Sequence, residues 1–259
     1  NITNNGLMYI NGITTPGNTY VDSYHIFNRY SEIPYLKNSG LMLTMVENSG
    51  STVNEHGLQF AGGIQINNDS SPNQSRAENL INDGMIDVKG KFIEYEGRPD
   101  KLELIGIDSE GASYNINNNA VIDVIGTNNE KVYTAGIDGN VYKIINNGVI
   151  NSNSSRNNSY GINNNIYYSG SFNKNDGENI INNGVIYGKT VAVKSDIKKV
   201  STPIGTGKNY GLLISGGENI TDGIELVDVG NTDKNTIINY GLGFTTEDGV
   251  NFKTHSSNN

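Results

Sequence analysis

The chain has no cysteine and no tryptophan among its 259 residues. Without cysteine, neither a disulfide framework nor a thiolate metal site is available, so packing and hydrogen bonding must hold the fold. No dense basic run occurs, and 18 Lys and Arg stand against 27 Asp and Glu, a net charge of -9. Nucleic acid and anionic membrane surfaces are therefore poor partners. Long apolar runs are missing too. The stretch from Gly40 to Val46, GLMLTMV, is far too short to span a bilayer, so this segment is not expected to insert into a membrane. The chain opens on Asn1 without a signal peptide and reads as a piece of a longer protein.

Only 17% of residues are charged, while Asn, Ile and Gly are abundant. Such a composition can mean disorder. Here, however, Asn and Gly recur at fixed places beside Ile, Val and Leu, which argues for order. One signature appears as ITNNGLM from Ile2, LKNSGLM from Leu36, LINDGMI from Leu80, INNNAVI from Ile116, IINNGVI from Ile144 and again from Ile180, and IINYGLG from Ile237. Its fifth position is Gly6, Gly40, Gly84, Ala120, Gly148, Gly184 and Gly241, giving steps of 34, 44, 36, 28, 36 and 57 residues. A second signature alternates with it: HGLQF around Gly57, IGIDS around Gly106, AGIDG around Gly136, YGINN around Gly161 and YGLLI around Gly211.

Helical repeats of similar period need runs of about ten residues with apolar positions three and four apart. Here Ile and Val fall in clusters of two or three, punctuated by Asn-x-Gly, which is the pattern of short strands and turns. Propeller blades would need four alternating strands per unit. The expectation is an all-β parallel β-helix, a solenoid with loop insertions, forming one segment over residues 1–259. In that arrangement each strand pairs with its counterpart one coil away, about 4.8 Å along the axis. Ile86 would then stack on Ile122 and Ile150. Asn82, Asn118, Asn146, Asn182 and Asn239 would form an amide ladder, each donating to and accepting from its neighbours. Gly84, Gly148, Gly184 and Gly241 would permit either positive φ or close approach of adjacent coils. Ala120 tests that idea, since an alanine there should be strained or sit in an altered turn.

The alternation of IINNGVI and YGI across nearly the whole chain, with the absence of cysteine, resembles passenger domains of type V autotransporters. The likeness is to large, repetitive, Asn-rich adhesins of Gram-negative bacteria. The resemblance implies a right-handed, three-faced β-helix displayed at the cell surface, outside the outer membrane, and anchored by a C-terminal β-barrel.

Candidate chemistry is sparse. A serine protease needs a histidine base, yet His25, His56 and His255 all lie away from any GxSxG segment. The segment NTDKN from Asn231 lacks the Gly and distal Glu of a calcium loop, so no metal and no cofactor are expected. Asp87 and Asp123 share one repeat position, and Asp108 and Asp138 share another. These could serve a carbohydrate-active enzyme as paired acids or could simply be hydrated acids that discourage edge aggregation.

Binding is the more economical function. Long inter-signature segments run over residues 13–34, 65–78, 91–102, 152–160 and 186–208. In the first, Tyr20, Tyr24, Phe27 and Tyr30 are spaced like one face of a short helix. Tyr167, Tyr168 and Phe172 form a second aromatic cluster. Tyrosines suit protein and sugar surfaces alike. The expectation is a non-enzymatic, monomeric rod presenting these residues to a host or bacterial cell-surface protein or glycan, with a pure stalk as the plainest alternative.

Overall fold

A computed structural model describes residues 1–14, 21–29, 31–48, 58–67, 76–92, 102–127, 132–154, 159–167, 180–198, 206–215, 224–227, 236–239 and 242–245. Every helix-or-strand element among them is a β-strand, and the strand pairings are parallel. The fold is all-β, and its strands fall into three series that recur in fixed order.

The first series contains Ile2–Asn4, Glu32–Asn38, Arg76–Asn82, the C-terminal halves of Leu102–Asn118 and Val132–Asn146, then Ile180–Asn182, Thr206–Asn209 and Thr236–Asn239. The second runs from Leu7–Thr14 through Leu41–Asn48, Met85–Phe92, Val121–Thr127, Val149–Asn153, Val185–Gly188 and Leu212–Ser215 to Leu242–Thr245. The third comprises Val21–Asn28, Leu58–Ile66, the N-terminal halves of the two long strands, Ser159–Tyr167, Val191–Lys198 and Ile224–Val227. The second series is an eight-stranded sheet. The first and third share a 13-stranded sheet because the two long strands pass from one series to the other.

Strand alternation sends one side chain of each pair inward. Met42, Ile86, Ile122, Ile150, Ile186 and Leu213 make one buried file, Leu36, Leu80, Ile116, Ile144 and Ile180 another, and Ile64, Ile107, Ile137, Ile162 and Val193 a third. The three files meet in a single core. β-Branched side chains suit it because a stiff χ1 repeats from strand to strand with little entropy to lose.

The second signature has a packing cause. A Cβ on Gly106 would lie 2.4 Å from Ile122 Cγ2, one on Gly136 2.2 Å from Ile150 Cγ2, and one on Gly161 2.4 Å from Ile186 Cγ2. The third series thus gives up its side chain where the second series inserts an isoleucine. Register corrects two members of this signature. Gly62 pairs with Ile105 and Ile64 with Ile107, so Gly63 is the counterpart of Gly106. Gly57 lies outside the described residues. Gly211, read from YGLLI as the second signature, packs on Gly184 and belongs to the first. The 57-residue step therefore contains two units, which share the register Asn182–Asn209–Asn239.

Two long segments also differ from the sequence reading. Residues 21–28 of the first and 191–198 of the last are strands of the third series. Neither strand announces itself in the sequence, because its apolar residues lack the Asn-x-Gly punctuation.

Candidate functional site

Each unit turns from the first series to the second at the Asn-x-Gly corner, and the asparagine amides there are hydrogen-bonded in sequence. Asn4 Nδ2 donates to Asn38 Oδ1 at 2.9 Å, and Asn38 to Asn82, Asn82 to Asn118, Asn118 to Asn146 and Asn146 to Asn182 each follow at 2.8 Å. Asn38, Asn82, Asn118 and Asn146 are completely buried. The second amide hydrogen also has work: Asn82 Nδ2 reaches Val121 O at 3.1 Å and Asn146 Nδ2 reaches Val185 O at 3.1 Å. The oxygen closes the corner locally, as in Asn182 Oδ1 accepting from Gly184 N at 3.2 Å. One side chain therefore satisfies both its own turn and the next unit's, which answers the cost of burying a polar group. Asn239 aligns with Asn209 by backbone register.

A second row lies one residue on, facing solvent. Asn183 Nδ2 donates to Asn147 Oδ1, Asn147 to Asn119, and Asn119 to Asp83, each at 2.8 Å, and Lys37 Nζ closes the row on Asp83 at 2.6 Å. The inner row donates toward the C-terminus and the outer row toward the N-terminus, so their amide dipoles oppose. Sequence reasoning missed the outer row, although the doubled Asn of IINNGVI is its signal.

The corner glycines are required by contact, not by positive φ, which among the described glycines occurs at Gly139. A Cβ on Gly84 would stand 2.1 Å from Gly40 O, on Gly148 2.0 Å from Ala120 O, and on Gly184 2.0 Å from Gly148 O. Gly241 lies outside the described residues. Ala120 occupies this position with a Cβ, and its junction is looser. Val121 N reaches Gly84 O at 3.3 Å, whereas the matching bonds Met85 N to Gly40 O and Val185 N to Gly148 O are 2.9 Å.

The acids fall in two aligned rows. Asp87 pairs in register with Asp123, and Asp108 with Asp138. Asp87 is 6% exposed and takes Lys89 Nζ on Oδ2 at 2.7 Å, while Asp123 Oδ1 accepts from Asn151 Nδ2 at 2.6 Å. Asp108 Oδ2 accepts from Gln65 Nε2 at 2.8 Å and from Tyr24 OH at 3.2 Å. Asp138 accepts from Tyr133 OH on one oxygen and from Asn163 Nδ2 at 3.2 Å on the other. Burial first, then the Asp138 charge, pushes the Tyr133 phenol well above its usual pKa. Both members of the second pair are thus surrounded by phenol and amide donors. Gln65 Oε1, Asp87 Oδ1 and Asn163 Oδ1 are buried and have no hydrogen-bond partner among the described residues.

Of the first aromatic group, the described residues Tyr24 and Phe27 lie on a strand and not on a helical face. Tyr24 and Phe27 lie on the strand Val21–Asn28, while Tyr20 and Tyr30 lie outside the described residues. The Tyr24 ring covers Gly62, where a Cβ would come within 2.5 Å of Tyr24 Cε1, and its hydroxyl reaches Asp108 two strands away. It is a sheet-covering residue. Phe27, at 47% exposed, is solvent-facing. Tyr167 ends the strand Ser159–Tyr167, and Tyr168 and Phe172 lie outside the described residues. Tyr133 and Tyr160, 5.7 Å apart between ring centroids with Lys194 Nζ 5.4 Å from the Tyr160 ring, form an aromatic group the sequence reading did not single out.

Among the described residues no group of three His, Cys, Asp or Glu side chains is placed to hold a metal ion. No family model matches the chain, and no curated protein and no solved structure gives a match.

Proposed function

We propose that the chain is a right-handed parallel β-helix and a passenger segment of a type V autotransporter adhesin, displayed at the bacterial surface as a monomeric scaffold. Its part is to carry the segments that interrupt the strand series out to a protein or glycan on a host or bacterial cell. The observation that supports this reading is the unbroken register from Asn4 through Asn182, which repeats one corner at every unit regardless of the length of chain between corners. A corner closed by its own side chains leaves the intervening residues free to vary without cost to the stack.

The test is adhesion of the purified chain to cultured cells and to other bacteria, repeated with residues 93–101 and 168–179 each replaced by a short Gly-Ser linker. The reading expects binding by the parent chain and its loss in at least one replacement that keeps the far-UV spectrum. Equal binding by both replacements would reject loop display, and no binding by the parent chain would reject adhesion.

A further inference from the structure

The outer surface of the second series carries a groove of about 370 Å³ that the asparagine rows do not use. Register frames it with two rows of side chains. Asn11, Met45, Lys89 and Ile125 form one, and Glu47, Lys91 and Thr127 the other, with the small residues Gly12 and Gly90 between them. The volume lies in the range of small-ligand sites. Four strands at sheet spacing extend it over about 14 Å, a length for several linked rings and more than a single small molecule needs.

Charge narrows the ligand class. In a chain of net charge -9, two ammonium groups meet here. Lys89 leans on Asp87 but remains 44% exposed. Lys91 makes no ion pair among the described residues, and Glu47 is its neighbour in register. A partly buried ammonium with no ion pair among the described residues can attract an anion into the groove.

Backbone pairing narrows it further. The central strands Leu41–Asn48 and Met85–Phe92 are bonded on both sides, so an incoming peptide finds no free edge to extend. Only side chains are on offer: an amide, a carboxylate and a hydroxyl able to exchange hydrogen bonds with hydroxyl groups, and Met45, 42% exposed, and Ile125 on either side of Lys89 as apolar surface.

We propose that this groove binds a carboxylate-bearing glycan chain laid along the stacking direction, with carboxylate on Lys91 and Lys89 and the C–H faces of its rings on Met45 and Ile125. The groove is built on the strands themselves, so it stands or falls separately from receptor binding by the intervening segments.

Calorimetric titration of the 259-residue chain at low salt tests this with tetragalacturonate, a sialylated tetrasaccharide, a neutral galactose tetramer and tetraglutamate. At least one acidic tetrasaccharide binds, more tightly than the neutral tetramer and the peptide, and binding weakens as salt rises. Lys91→Glu weakens it at least tenfold, Lys91→Met weakens it while keeping the apolar stem, and Lys143→Glu, outside the groove, leaves it unchanged. The proposal is overturned if neither acidic sugar binds, if the neutral tetramer or the peptide binds as tightly, or if both Lys91 variants, folded by circular dichroism, bind like the parent.

Discussion

The smallest unit of this fold is one asparagine doing two tasks. Asn118 accepts from Asn82 and donates to Asn146, both bonds fully buried. Asn118→Ala strands an amide donor on one side and an acceptor on the other, at a cost of about 3 kcal/mol. Asn119→Ala removes exposed bonds and costs under about 1 kcal/mol. Urea unfolding of the two variants measures the difference, and equal losses would deny the inner row its role. Glycine and alanine at the corner have opposite signs. Gly148→Ala drives a Cβ into Ala120 O and destabilises by more than about 2 kcal/mol, whereas Ala120→Gly relieves a stretched junction and falls within about 1 kcal/mol of neutral, since added chain entropy opposes the gain.

His25 brings pH into the same scale. It stands opposite Gly63, between the pairs Tyr24–Gly62 and Ile26–Ile64, and its Nε2 lies 3.0 Å from Thr44 Oγ1. Burial lowers its pKa below 6.5. Below pH 6.5 the unfolded chain takes up a proton that the folded chain refuses, so stability falls with pH from 6.5 down through the lowered folded value. His25→Gln flattens that part of the stability curve. A slope unchanged between the two proteins would show that His25 is not its source.

Between elements, the second series inserts an isoleucine where the third gives a glycine. Gly136→Ala collides with Ile150 Cγ2, and Ile150→Ala removes the colliding atom. The double variant is more stable than the sum of the single losses predicts, by at least about 1 kcal/mol, although Gly161 O at 2.7 Å keeps the rescue partial. Strict additivity would contradict the packing. This level was only partly legible in the sequence. IINNGVI announces its corner because Asn, Gly and the flanking isoleucines answer to one local geometry. The third series is held by contacts from residues about 20 positions away in the chain, as Gly63 is by Ile86, so its strand Val21–Asn28 carries no comparable mark. Its Tyr24 and Phe27, read with Tyr20 and Tyr30 on either side in the sequence, instead imitate helical spacing. The aligned acids were legible, because register follows from the repeat. Their partners were not, because Tyr24 and Gln65 reach Asp108 across strands that no local pattern connects.

For the whole molecule, parallel register turns chain length into stacking distance. Eight strands of the second series reach about 34 Å along the stacking direction. The decisive question is whether residues separated by one unit are true neighbours and those separated by two are not. A chain without cysteine allows it to be asked cleanly. Paired cysteines replacing Asn119 and Asn147, whose amides meet at 2.8 Å, lie one strand spacing apart and within disulfide reach. Cysteines replacing Asp83 and Asn147 lie two spacings apart, about 9.6 Å. Under mild oxidation of the dilute monomer, the stack predicts rapid cross-linking of the first pair and none of the second, read by mass spectrometry. Cross-linking of both pairs, or of neither, would contradict it.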